Sequence, residues 1–161
     1  MERVLELQIP ASPEFIAVVR LVVSSLVTAR RELSDDRVDD LKLAVSEACT
    51  NAIEAHDAVS SEAAVTMRLW EDGDRIEVDI ADEGPGFDPD AVPSHPPVTD
   101  PQRLNFERGL GIRLIRTLVD EVAFDSSAEG TTVRMVVYGG PADLGLDTAA
   151  ARQADVRSSG G

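Results

Sequence analysis

Apolar residues recur along this chain with two periods, and the switches between them outline its elements. Leu5, Leu7 and Ile9 alternate with polar neighbours, which predicts a half-buried strand ending at Pro10. Ser12, Pro13 and Glu14 have the form of a helix cap, first position and first turn. Phe15, Val19, Val22 and Leu26 follow at helical spacing, so a first helix is expected to run to about residue 31. In a second helix Val38, Leu41, Val45, Ala48, Ala52, Ala55 and Val59 step by three and four in one apolar stripe. Asp35 and Asp36 suit its positive N-terminal end. Val65, Met67 and Leu69 then alternate, Asp72-Gly73 marks a hairpin turn, and Ile76, Val78 and Ile80 alternate again, predicting an antiparallel pair.

From 85 to 108 the periodicity fades, and after Pro85 come Pro89, Pro93, Pro96, Pro97 and Pro101, which predict a long loop. Loops of that length in compact domains tend to be functional lids or disordered segments. A third helix is expected from 109 to about 120, with Ile112, Ile115 and Val119 on one face. Residues 122–126 and 132–138 read as two last strands about a turn at Gly130. Beyond Gly139 the Ala, Asp, Ser and Gly content reads as a frayed tail over 140–161.

Composition narrows the function classes. At 161 residues the chain has the length of one domain, so one site is sought. It is 43% hydrophobic and 28% charged, a globular balance, and its 4% aromatic content predicts an aliphatic core. The 30 acidic residues against 15 basic ones, a formal charge of −15, would repel a phosphate backbone and argue against nucleic-acid partners. Cys49 stands alone, so no internal disulfide can form. With neither a signal peptide nor an 18-residue apolar run, a cytoplasmic protein without a membrane partner is expected.

Three separated blocks carry candidate chemistry. Glu47 and Asn51 are four apart and share one helix flank beside the apolar stripe. A carboxylate there can accept a proton, and an amide oxygen can ligate a hard cation; the plainer reading of the pair alone is a solvated helix face. Strand parity turns Asp82 to the side of Ile76, Val78 and Ile80, toward the core, where an unpaired charge is costly. The glycines of Glu83-Gly84-Pro85-Gly86-Phe87 allow close backbone approach to a ligand, and Asp82 could select an exocyclic amine such as that of adenine. A strand-ending aspartate that caps a turn explains the same residues equally well. Gly109-Leu110-Gly111, with Arg108 before it, is read as the opening of a helix, where free N–H groups and a positive dipole end suit phosphates. Glycines also merely end loops. No Gly-x-x-x-x-Gly-Lys occurs, and no Gly-x-Gly-x-x-Gly follows a strand.

In order and spacing, Glu47-Ala48-Cys49-Thr50-Asn51-Ala52, Asp82-Glu83-Gly84-Pro85-Gly86-Phe87-Asp88 and Gly109-Leu110-Gly111-Ile112 resemble the nucleotide boxes of the gyrase, Hsp90-type chaperone, histidine kinase and MutL ATPase superfamily. Gly130-Thr131-Thr132 resembles its closing box. Ser46-Glu47-Ala48 and Leu118-Val119-Asp120-Glu121-Val122 are most similar to the anti-sigma-factor serine kinases, and the resemblance covers roughly residues 4 to 138. It implies an α+β two-layer sandwich, the Bergerat ATP-binding fold, over 1–139: a mostly antiparallel sheet covered on one face by about three helices, with an ATP lid over about 88–108. It implies further that Glu47 is the general base, Asn51 the Mg²⁺ ligand and Asp82 the reader of the adenine amine. Gly84 and Gly86 would shape the adenine side, Arg108, Gly109, Leu110 and Gly111 the phosphate side, and Thr131 would face the nucleotide, unless it is a plain strand residue. Many relatives place a histidine where Ala55 stands here, with His56 following, so His56 is expected to be structural or exposed rather than catalytic. Arg108 stands nearer the glycines than the lid arginine of some relatives, and the lid is unusually rich in proline. Arg20 matches a position that faces the protein partner in similar kinases.

The function so implied is an anti-sigma-factor serine kinase with ATP and Mg²⁺. It would phosphorylate a serine of an anti-anti-sigma (STAS-type) protein and hold a sigma factor, as a homodimer. The alternatives are an ATP-binding switch or an interaction module without phosphotransfer. A detached histidine-kinase domain fits less well, since His56 and His95 are the only histidines and are poorly placed as phosphoacceptors.

Overall fold

The alternating segments pair into one five-stranded sheet: β1 (Glu2–Ile9), β2 (Val65–Asp72), β3 (Arg75–Asp82), β4 (Glu121–Ser127) and β5 (Gly130–Tyr138). Their order is β1-β2-β3-β5-β4, with every neighbour antiparallel. The computed structural model describes residues 1–30, 33–58, 63–86 and 103–140, with the backbone alone at 30, 58 and 103–108. Three helices accompany the strands: α1 (Ile16–Arg30), α2 (Asp35–Ala58) and α3 (Arg103–Leu118). Six of the seven positions expected to form the α2 stripe are buried, and the seventh, Val59, lies outside the described residues. They meet the inward sets of the strands, among them Met67, Leu69, Val78, Ile80 and Met135. No aromatic side chain is fully buried among the described residues, as the composition anticipated. None of the described helices is long and apolar enough to cross a membrane.

Three boundaries differ from expectation, while α2 begins at Asp35 as its acidic pair predicts. Asp72 pairs with Arg75, so the hairpin turn is Gly73-Asp74 rather than Asp72-Gly73. Pro13–Phe15 form a 3₁₀ turn ahead of α1, and the Ser12 hydroxyl bonds the Glu14 carboxylate instead of capping a backbone N–H. Ser34 caps α2, its Oγ accepting the Arg37 N–H at 3.4 Å and its carbonyl the Val38 N–H at 3.0 Å. Helix α3 begins at Arg103, six residues before the glycine that was expected to open it. The larger part of the expected lid, and residues 141–161 of the expected tail, lie outside the described residues.

The sheet face away from the core stripe carries charge. Glu77 and Asp79, on one face of β3, have side chains only 5% and 4% exposed. Arg134, directly opposite Asp79 on β5, grips its carboxylate with Nε at 3.1 Å and Nη2 at 3.2 Å, and Nε also lies 3.1 Å from Glu77. These bonds to Asp79, before any other cause, raise the Arg134 guanidinium above its ordinary range. Arg75 closes the ladder on Glu77. Removing one partner of a buried pair typically costs about 3–5 kcal/mol, but Arg134 is half in water and the effect is screened accordingly. Arg134→Ala is therefore expected to lower the unfolding free energy by about 1–2 kcal/mol, seen as an earlier urea midpoint at unchanged slope.

Candidate functional site along helix α2

The stripe that α2 buries decides what its flank can do. With Ala48, Cys49 and Ala52 turned into the core, Glu47 and Asn51 fall one above the other on the neighbouring flank. Cys49 stands between them in sequence but faces the core, and burial pushes its thiol up to about 12, which removes it as a nucleophile at neutral pH. Glu47 is half buried and Asn51 is 8% exposed.

Helix α3 lies against this flank at Gly111. A methyl group in place of its hydrogen would stand 3.0 Å from Glu47 Oε2 and 3.7 Å from both end atoms of Asn51. Glycine is thus what lets a second helix pass so close to a carboxylate and an amide. Asn51 Nδ2 is buried without a hydrogen-bond partner among the described residues. An orphaned buried amide of this kind is rare and calls for a ligand or ordered water. A half-turn of the amide exchanges its nitrogen and oxygen, so it can offer a donor to a phosphate oxygen or an acceptor to a cation.

The other end of the site is built by β3, β4 and β5. Asp82 ends β3, half buried, and pairs in register with Thr131, which in turn pairs with Ser126. Residues directly opposite in a sheet share a face, so the three form a polar row at one end of the helix-covered side. Thr131 is 3% exposed and its Oγ1 lies 2.9 Å from Ser126 Oγ. The Asp82 carboxylate accepts the Gly84 N–H at 2.8 Å, the turn-capping arrangement that had been an open alternative. That bond does not exhaust an ionised carboxylate, which has about four lone-pair sites. Gly84 packs on α2, where an added methyl would sit 2.6 Å from Ala55 Cβ. Gly86 has φ +72° and crosses the end of β4, where any Cβ would collide with the Ser127 carbonyl oxygen.

Gly109, Leu110 and Gly111 lie inside α3 rather than at its start, so their N–H groups are bonded to carbonyls four residues back and are not on offer in this conformation. Leu110 is 47% exposed. The backbone of Arg108 belongs to α3, and its side chain is outside the described residues. Arg20 is exposed on α1. His56, expected to be structural or exposed, is fully buried, with Nε2 accepting the Glu83 N–H at 2.9 Å. Ser126 was not singled out in the sequence, although its parity with Val122 and Phe124 placed it on the inward face. Gly86→Ala combines a positive φ with a backbone collision, and is expected to cost at least about 1–3 kcal/mol, measured by chemical denaturation.

Comparison with known proteins gives the family. Residues 9–137 match the family described as histidine kinase-like ATPase domain. A Bacillus velezensis protein named serine-protein kinase RsbW is 41% identical over 139 residues, covering 83% of this chain and 84% of that protein. A Staphylococcus epidermidis protein of the same name is 38% identical over 138 residues, covering 83% and 86%. In fold the chain is similar to the RsbU and RsbW domains of a Mycobacterium tuberculosis protein, at a TM-score of 0.62 and 18% identity over 86% of this chain and 33% of that one. It is also similar to the Pseudomonas aeruginosa SiaB-SiaC complex, at a TM-score of 0.59 and 15% identity over 84% and 89%. The chain belongs to the histidine kinase-like ATPase domain family and, within it, to the serine-protein kinases of the RsbW type.

Proposed function

We propose that this chain is an anti-sigma-factor serine kinase that lays ATP along α2 and transfers its γ-phosphoryl group to a serine of an anti-anti-sigma partner. Serine kinase activity and the use of ATP come with the family. One observation carries the site: α2 meets the Asp82–Gly84 backbone at Ala55 and the α3 glycine at Glu47 and Asn51. Ala55 and Glu47 are eight residues apart, about 12 Å along the axis at 1.5 Å per residue, with Asn51 midway between them. A nucleotide can span them, base at one end and phosphates at the other.

Asp82 takes the adenine amine, with Gly84 and Gly86 giving the base room and Thr131 facing the nucleotide beside it. Glu47 accepts the proton of the incoming serine hydroxyl. The serine oxygen bonds to the γ-phosphorus while the bond to the bridging oxygen breaks and ADP leaves. Bound Mg²⁺ neutralises charge on the phosphates. Asn51 would hold it, and the orphaned end of its amide supports that fit. Among the described residues no three His, Cys, Asp or Glu side chains converge on a common point, and its remaining ligands would be phosphates and water, the usual habit of this ion. Arg108 and the amides of Gly109, Leu110 and Gly111 serve the phosphates, which requires the α3 turns from 103 to 108 to open as nucleotide enters. A sigma factor binds elsewhere on a homodimer, and the α1 surface with Arg20, Val18 and Leu21, exposed on the structure, belongs to the partner-facing side.

Calorimetric titration with ATP and Mg²⁺, beside labelled phosphoryl transfer to an anti-anti-sigma protein, tests the assignment. Asp82→Asn is expected to weaken ATP binding at least tenfold, the loss of about one charged hydrogen bond. Glu47→Ala is expected to keep nucleotide affinity and lose transfer by about 10²–10⁴-fold; an active variant would sink the general base. Gly111→Ala should separate folding from chemistry. It gains helix propensity worth about 1 kcal/mol yet crowds Glu47, so its melting temperature holds or rises while transfer falls.

A further inference from the structure

His56 is 0% exposed, yet its side chain is polar and only half satisfied. Its Nε2 accepts the Glu83 N–H at 2.9 Å, while Nδ1 has no partner among the described residues. An imidazole that accepts at Nε2 carries its proton on Nδ1, so the ring is held as one neutral tautomer with a buried donor left unmet. An apolar ring of the same size would avoid that penalty. The reason for an imidazole here is therefore on the Nε2 side, where no apolar residue could take the Glu83 N–H.

That N–H belongs to the peptide bond between Asp82 and Glu83. Three features close on this bond. His56 holds the Glu83 N–H, the Asp82 carbonyl oxygen lies against Gly130 so closely that a Cβ there would collide with it, and the next N–H, of Gly84, bonds the Asp82 carboxylate. Ala55, the residue before His56, supplies the surface on which Gly84 rests. A methyl added at Gly84 would stand 2.6 Å from Ala55 Cβ, so the loop rests directly on this turn of α2, and the imidazole one residue on reaches its backbone.

From this geometry we infer that His56 is a positioning residue for nucleotide selection: by fixing the Asp82–Glu83 peptide it aims the Asp82 carboxylate at the exocyclic amine of a 6-aminopurine. It touches no nucleotide itself. The inference rests on Asp82 as reader of the base, and the test separates the two.

ATP and GTP affinities are measured calorimetrically for the wild type, His56→Phe, His56→Gln and Asp82→Asn, with melting temperatures alongside. The ¹⁵N imidazole shifts of wild-type His56 are recorded by NMR. His56→Phe is expected to weaken ATP about tenfold, the equivalent of one hydrogen bond, with the weaker GTP affinity unmoved. His56→Gln, which keeps an acceptor, is expected to recover most of the ATP preference. A merely structural histidine would change both nucleotides alike and gain nothing from glutamine. Wild-type ATP affinity in His56→Phe together with its loss in Asp82→Asn would overturn the role of His56 and leave the base reader standing. Wild-type ATP affinity in Asp82→Asn would overturn the base reader and His56 with it. The NMR result needs no variant to fold: a proton on Nε2 rather than Nδ1 would overturn the inference by itself.

Discussion

Burial of one stripe of α2 against the sheet is the constraint on which the rest of the site depends. An α-helix returns to the same face every three to four residues, so once Leu41, Val45, Ala48 and Ala52 are committed to the core, the directions of Glu47, Asn51, Ala55 and His56 are set within a narrow range. Two of these meet α3 and two meet the loop after β3. The hydrophobic term, about 25 cal/mol per Å² of apolar area removed from water, thus fixes polar geometry that the polar groups could not have fixed for themselves.

Glycines then set how closely the other elements come. A glycine inside a helix costs about 1 kcal/mol relative to alanine, and α3 carries two, Gly109 and Gly111, within its span. At Gly111 the cost has a visible return, since the missing side chain is the space in which Glu47 and Asn51 reach the surface of α3. Gly84 does the same on Ala55, and Gly86 on the end of β4, there with a backbone angle open to few other residues. Glycines thus let α3 and the loop after β3 both close on α2, and let that loop cross the end of β4.

Much of this was legible in the sequence, and the limits are instructive. The hairpin and the α2 stripe were readable because each has a sharp period that no competing signal disturbs. Glu47, Asn51, Asp82 and Thr131 landed near their expected faces for the same reason, parity and helical spacing being enough to orient a side chain. The start of α3 was not readable. Prolines through Pro101 signal a loop and Gly109 and Gly111 resemble a helix opening, yet the helix begins at Arg103 and keeps both glycines inside it, Gly111 where α3 packs on α2. Burial of His56 was hidden because a lone histidine at the edge of a stripe carries no periodic signal. Its partner is a backbone N–H distant in sequence.

The two ends of the site are built on different principles, and this bears on how a kinase of this type divides its labour. At the Asp82 end the groups that face the loop are paired within the protein: a backbone N–H taken by an imidazole, another by a carboxylate, a hydroxyl paired with a hydroxyl; only the far nitrogen of His56 stays unmet. Such a network is costly to rearrange and suits discrimination between bases, where a displaced hydrogen bond must be penalised. At the Glu47 end an amide stays orphaned, and the amides of 109–111 are spent on the helix they belong to. An amide bonded to a carbonyl four residues back cannot also donate to a phosphate, so helix and phosphate compete for the same N–H groups. A ligand shifts such a balance only by its difference in affinity for the two states. In the proposed reading the competition falls at the phosphate end while the base end is held independently, so recognition of the nucleotide would precede assembly of the catalytic groups, and the charge on the phosphates is what the open helix turn would answer to.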